Sequence, residues 1–155
     1  MIDTLPIKVL YVDDEENNLV AFKASFRRYF TIFTARSSKE AQVILKEHDI
    51  HVLITDQRMP ETLGTELLAQ AVIEYPEQTR ILLTGFSDIE ALKDAVNRGQ
   101  IFRYLQKPWN DEELKKTIED SYHIYHIKKE QQEKNELLML TNEQLEFMLR
   151  QKLLS

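Results

Sequence analysis

The sequence contains no cysteine in its 155 residues, which excludes a disulfide scaffold and a thiolate metal site. A reducing cytosol is the natural setting for such a chain. It has no excess of basic residues: the formal net charge is -6 and the pI about 5.3. That balance gives no electrostatic footprint for direct nucleic-acid binding, which is normally basic. No apolar run approaches the length of a membrane span. The first residues, Met1-Ile2-Asp3-Thr4-Leu5-Pro6, lack the basic start and long apolar stretch of a secretory leader. The expectation is a soluble, cytoplasmic protein with no membrane partner.

What is present fits one compact domain plus an added element. Hydrophobic residues make up 43%, enough for a real core, and charged residues 30%, enough to solvate the surface. Five short apolar runs recur: 7–12, 31–35, 52–55, 81–84 and 102–106. Most are too short for helices and rich in β-branched or aromatic residues, so they read as strands. The middle runs are almost continuously apolar, as expected of parallel strands covered on both faces. Helical patterns separate them. Leu19, Phe22, Phe26 and Phe30 recur at spacings of three and four, forming one core-facing stripe. Ser37 with Glu40 and Ser87 with Glu90 have capping-box spacing, and Asn110 with Glu113 is a close relative. Residues 65–74 read as a further helix, closed by Tyr75-Pro76. Alternating strands and helices imply an α/β fold, a (βα)5 doubly wound five-stranded parallel sheet. The expected order is 2-1-3-4-5, the flavodoxin-like arrangement.

From Asp111 to about Leu154 there is neither proline nor glycine. A continuous helix there would be a rod of roughly 65 Å, far beyond the usual length in globular proteins. Leu114, Ile118, Tyr122 and Tyr125 keep a stripe suited to packing on the sheet. Residues 128–136 are polar and read as a solvated helix face. Leu137-Leu138-Met139-Leu140, Leu145, Met148 and Leu149 then resume apolar spacing, which suits a coiled coil and a homodimer formed through it. The expected division is a domain over 6–127 and a helical extension over 128–155.

Sites in parallel α/β sheets form at the C-terminal ends of strands. There the first strand ends in Asp13-Asp14-Glu15, the third in Thr55-Asp56, the fourth in Thr84-Gly85 and the fifth in Gln106-Lys107-Pro108. Each alone has an ordinary explanation as a solvated pair, a turn or a helix lead-in. Together they bring three carboxylates, a hydroxyl and an ammonium to one crevice. Clustered carboxylates repel one another, and a hard cation relieves that repulsion. Oxygen ligands without histidine or cysteine favour Mg²⁺ over zinc. A carboxylate so placed can act as a nucleophile towards phosphorus, with Lys107 supplying positive charge and Thr84 a hydrogen bond.

Over residues 6–127 this pattern resembles the response-regulator receiver family of two-component signalling. The resemblance matches the acidic pair to Asp13 and Asp14. It matches the phosphoacceptor to Asp56 within Ile54-Thr55-Asp56-Gln57-Arg58-Met59-Pro60, the switch hydroxyl to Thr84, the switch aromatic to Tyr104 and the lysine to Lys107. It implies Mg²⁺ held by Asp14, Asp56 and the backbone carbonyl of Arg58, with Asp13 acting largely through water. It also implies a cis peptide at Lys107-Pro108 and a histidine kinase or phosphotransfer protein as phosphoryl donor. Arg58 and Phe86, two residues beyond Asp56 and Thr84, occupy positions that tune the phosphoryl lifetime in that family. The loop Met59-Pro60-Glu61-Thr62-Leu63-Gly64 departs slightly, since many relatives carry a second methionine near Leu63.

Two rival functions use the same features. An aspartyl-phosphate phosphohydrolase would place a second acid where Arg58 stands and would need a cap domain. A phosphorylation-independent pseudo-receiver would usually have lost part of the acidic pair or the lysine. Trp109 reads as packing at a helix start, and Phe22, Phe26 and Phe30 as core. His48, His51, His123 and His126 show no metal-ligand spacing with other candidates. No effector domain follows residue 127, so the chain is either a stand-alone receiver with a dimerising tail or, as the linker-like tail favours, a piece of a longer protein.

Overall fold

A computed structural model describes residues 6–85, 89–98 and 100–154. The elements are β1 (Lys8–Val12), α1 (Glu16–Phe26), β2 (Thr31–Ala35), α2 (Ser38–Glu47), β3 (Val52–Asp56), α3 (Gly64–Glu74), β4 (Thr79–Thr84), α4 (Ile89–Asn97), β5 (Arg103–Gln106) and α5 (Asp111–Leu154). All strand pairs are parallel and the order is β2-β1-β3-β4-β5, the expected one.

Side chains alternate across the pleat, and the two faces of the sheet carry two cores. On one face Leu10, Val12, Leu53 and Leu82 pack with Ala41 and Leu45 of α2, Leu67, Leu68 and Ala71 of α3, and Leu92 and Ala95 of α4. On the other, Val9, Tyr11, Val52, Ile54, Ile81 and Leu83 meet Leu19, Phe22 and Phe26 of α1 and Leu114 and Ile118 of α5. Burying each valine, leucine, isoleucine or phenylalanine among them contributes about 1.5–3 kcal/mol.

Two strands are longer than their apolar runs: β3 takes in Asp56 at its end, and β4 takes in two residues at its start. β4 begins at Thr79, two residues before Ile81, because Thr79 and Arg80 pair with Val52 and Leu53. Both polar side chains are buried and satisfied locally. Thr79 donates to the Ser121 carbonyl at 2.8 Å, and the Arg80 guanidinium donates to the carbonyls of Gln100, Tyr75 and Gln78. Polarity hid these residues from an apolar-run criterion. Two other strands are shorter than their runs: Phe102 falls outside β5, and Ile7 precedes β1.

Two helix starts carry the expected caps, at Ser37 and Asn110. Ser37 Oγ accepts the Glu40 amide at 3.1 Å, while Glu40 Oε1 accepts the amide of Arg36 rather than that of Ser37. Asn110 Oδ1 accepts the Glu113 amide at 3.0 Å. The Ser87 cap and the Phe86 position lie outside the described residues.

Helix α5 runs unbroken for 44 residues. Its buried residues are Leu114, Thr117, Ile118, Ser121 and Tyr125, and the chain divides into two compact units between Tyr125 and His126. In the second unit Leu137, Leu138, Met139, Leu140, Leu145, Phe147, Met148 and Leu149 are all exposed. Among the described residues no helix is long and apolar enough to cross a membrane.

Candidate functional site

Backbone hydrogen bonds extend the sheet beyond its strands and fix the residues at its C-terminal edge. The Asp13 amide donates to the Ala35 carbonyl (3.0 Å), the Gln57 amide to Leu83 (3.2 Å) and the Lys107 amide to Thr84 (2.9 Å). The Lys107-Pro108 peptide is cis. The carboxylates of Asp13, Asp14 and Asp56 each offer an oxygen within 4.8 Å of the others. Lys107 Nζ joins two of them, at 2.8 Å from Asp13 Oδ2 and 3.3 Å from Asp56 Oδ1.

The three carboxylates are not equivalent. Asp13 is fully buried, Asp56 is nearly so and Asp14 is half-buried. A buried carboxylate is costly unless it is paired and hydrogen-bonded. Asp13 meets that demand. Its Oδ2 accepts from Tyr11 Oη (2.5 Å), Lys107 Nζ (2.8 Å) and Asn18 Nδ2 (3.0 Å), and its Oδ1 accepts the Glu15 amide (3.0 Å). Burial pushes the Asp13 carboxyl up, but the bonds from Lys107, Tyr11 and the Glu15 amide outweigh it and hold the group below the usual range. For Asp56, burial dominates and the negative charge of Asp13 adds to it. Against these Lys107 only partly compensates, so Asp56 sits above the usual carboxylate range. Burial works against the charge of Lys107, yet its bonds to Asp13 and Asp56 keep it above an ordinary lysine.

The donor set is all oxygen and suits a hard cation such as Mg²⁺. Asp13, Asp14 and Asp56 each offer an oxygen to such an ion, and both oxygens of Asp13 are already engaged by donors. Arg58 is exposed two residues beyond Asp56. Thr84 ends β4 with its hydroxyl turned to the Gly85 carbonyl at 3.1 Å. Tyr104 stands on β5 opposite Leu82, with its side chain largely outside the core at 48% exposure. Thus Asp13, Asp14, Asp56 and Lys107 form one cluster, while Thr84 ends β4 and Tyr104 lies on β5 opposite Leu82.

Three neighbours of the cluster were not among the candidates from sequence. Tyr11 and Asn18 hold Asp13. Gln57 is almost fully buried, and its carboxamide brackets Thr65, accepting the Thr65 amide at 2.9 Å and donating to its hydroxyl at 3.3 Å. Its backbone carbonyl accepts the Gly64 amide at 2.9 Å. The loop after Asp56 is thereby tied to the start of α3. Gly64 is required there, since a side chain would run into the Asp56 backbone carbonyl. Only Tyr11 carried a readable signal: it lies two residues before Asp13 and so shares its face of the strand.

A recess of about 410 Å³ opens beside the cluster, lined by Asn18, Ala21, Lys107, Pro108 and Trp109. Trp109 packs edge-on against Tyr11 and Phe22 and donates to Asp111 at 3.0 Å, in keeping with a packing role.

The family model described as the response regulator receiver domain matches residues 9–119. Among curated proteins, the chain is 34% identical over 110 residues to the hydrogenase transcriptional regulatory protein HoxA of Cupriavidus necator, covering 71% of this chain and 23% of that protein. It is 30% identical over 129 residues to the DNA-binding transcriptional regulator NtrC of Salmonella typhimurium, covering 82% and 27% respectively. The chain thus spans about a quarter of the length of these relatives. Among solved structures it is similar to one described as adenylate cyclase from Rhodopirellula baltica (TM-score 0.80, 33% identity, 87% of this chain and 98% of that one). It is also similar to the signal receiver domain of an HD domain-containing protein from Pseudomonas fluorescens Pf-5 (TM-score 0.77, 32% identity, 84% and 96%).

Proposed function

The chain belongs to the response regulator receiver family, and on that premise we propose that it is a phosphorylation switch with Asp56 as the phosphoacceptor. One observation carries the assignment: three strand-end carboxylates converge within 4.8 Å, and a lysine bridges Asp13 to Asp56. The donor is a phosphohistidine on a histidine kinase or phosphotransfer protein, approaching through the recess beside Lys107.

An Asp56 carboxylate oxygen attacks the donor phosphorus. The new P–O bond forms as the P–N bond breaks, and the imidazole departs with the electron pair. Later attack by water on phosphorus releases inorganic phosphate and restores the carboxylate. Asp14, Asp56 and the Arg58 carbonyl would hold Mg²⁺, with Asp13 acting through water, and the bound ion would supply charge neutralisation for the phosphoryl oxygens. Lys107 turns its ammonium to the transferred group, and Thr84 swings its hydroxyl from the Gly85 carbonyl to a phosphoryl oxygen. Tyr104, now outward, then moves into the space vacated by Thr84. The surface of α4, β5 and α5 changes as a result, a two-state equilibrium biased by one added charge.

The apolar residues of 128–154 form either a homodimerising coiled coil or a linker to a further domain, in a cytoplasmic protein. If dimerisation is correct, sedimentation at high protein concentration shows a dimer, with or without phosphorylation; a chain that stays monomeric in both states removes it.

The switch itself is tested by intact mass after incubation with Mg²⁺ and acetyl phosphate. The wild type should gain one phosphoryl group and Asp56→Asn none. A wild type that gains nothing, with rapid hydrolysis excluded by quenched time points, would favour the phosphorylation-independent module.

A further inference from the structure

Asp13 is the most heavily engaged carboxylate of the site, and its partners suggest why. The chemistry proposed above needs Lys107 to leave Asp13 for a phosphoryl group on Asp56. Lys107 is 2.8 Å from Asp13 and 3.3 Å from Asp56, so its shorter contact is with the group it must leave. Asp13 is fully buried. If Lys107 were its sole donor, departure would strand a buried anion, which is strongly unfavourable. Three other donors reach it: Tyr11 Oη at 2.5 Å, Asn18 Nδ2 at 3.0 Å and the Glu15 amide at 3.0 Å.

We propose that the Tyr11 hydroxyl, assisted by the Asn18 amide, is a positioning device that carries the charge of Asp13 so that Lys107 can be released to the phosphoryl group. The inference rests on the phosphoacceptor reading of Asp56.

The placement of Tyr11 supports a built role. It stands on β1 two residues before Asp13, on the same face, and is fully buried. Its ring is fixed by Phe22 at 4.6 Å and by the edge contact with Trp109 at 5.9 Å. The hydroxyl therefore has little freedom and is aimed at the oxygen that Lys107 shares. Asn18, in the first turns of α1, approaches that oxygen from a second element. A phenylalanine would pack as well in this apolar setting, so the hydroxyl serves Asp13 rather than the core.

Tyr11→Phe tests this directly. It keeps the ring, removes one donor to Asp13 and leaves no orphaned donor behind, so the fold should survive. Without that donor the charge of Asp13 is less compensated, so it holds Lys107 more tightly and attracts a cation more strongly. The expected signature has opposite signs. Phosphoryl uptake from acetyl phosphate at saturating Mg²⁺ should slow on the order of tenfold, the effect of one lost hydrogen bond to a charged group. Half-saturation by Mg²⁺, read from the fluorescence of Trp109, the single tryptophan, should move to lower concentration. Asn18→Ala should act in the same direction with a smaller effect.

A general loss of packing would slow uptake and weaken Mg²⁺ binding together, and that outcome would overturn the proposal. Uptake at the wild-type rate in Tyr11→Phe would do so as well. If the wild type itself takes up no phosphoryl group, the phosphoacceptor reading fails and this inference with it. Phosphorylated wild type beside an unaffected variant sinks this inference alone.

Discussion

The two parts of helix α5 make an instructive contrast. Up to Tyr125 its apolar stripe is buried, with Leu114 and Ile118 fully enclosed in the core that β1, β3, β4 and α1 share. Beyond His126 the helix continues with the same backbone geometry, yet Leu137, Leu138, Met139 and Leu145 all stand exposed. Helix formation is local, driven by propensity and the absence of proline and glycine. Burial is not local and needs a partner surface. The first part finds one in the sheet, whereas the second carries apolar residues at helical spacing that stand exposed.

The strongest test of this contrast compares equivalent truncations in the two parts. Leu114→Ala should destabilise the chain by about 2–5 kcal/mol, because it opens a cavity in a closed core. Leu145→Ala should change the stability of a monomer by less than about 0.5 kcal/mol. Chemical denaturation of both variants measures the difference. A large loss for Leu145→Ala that grows with protein concentration would instead mean that the second part is buried between copies.

A smaller effect sharpens the same comparison at the backbone. Gly64→Ala places a methyl against the Asp56 carbonyl, where the chain has no room. A loss of about 1–3 kcal/mol is expected, as for other overpacked sites. Phosphoryl uptake should slow as well, since the displaced loop carries Arg58. In the second unit no glycine exists to be so constrained, and an alanine at Gln144 should be silent in both assays.

The smallest effect concerns charge. Asp13 and Asp56 are shifted in opposite directions, so their carboxamides should change stability with opposite sign. Without Mg²⁺, Asp56→Asn should raise stability at neutral pH, since it removes a buried charge that the site disfavours. Asp13→Asn should lower it, because the partners of Asp13 all donate. The pH dependence follows from the shifts. The stabilisation from Asp13 is full above the ordinary carboxylate range and is lost as pH falls through its depressed value. The penalty from Asp56 is full above its raised value and fades as pH falls through it. Thermal melts from pH 7 downward should therefore bring wild type and Asp56→Asn together before the Asp13 contribution is lost. Glu146→Gln in the exposed helix should show no such trend, since its ion pair with Arg150 lies in solvent.

Much of the fold and of the candidate cluster was legible because it depends on local pattern. Apolar runs marked the strands, and carboxylates and a lysine at strand ends marked the cluster. The first two residues of β4 were not legible, since Thr79 and Arg80 look like loop residues until Ser121, Gln100, Tyr75 and Gln78 supply their partners. Asn18 and Gln57 were likewise silent. A carboxamide announces nothing until the fold shows which atoms it can reach.

The amino-acid sequence alone determined the alternation of strands and helices, hence parallel pairing, and the residue types at the strand ends, because short-range periodicity and position along the chain dictate them. Only the tertiary structure decided which carboxylate is sealed and which stays open. Asp13 and Asp14 are adjacent and chemically identical, but one turns inward to Tyr11, Asn18 and Lys107 while the other remains partly exposed. Desolvation and hydrogen bonding depend on what surrounds a group in space, and adjacency along the chain does not specify that.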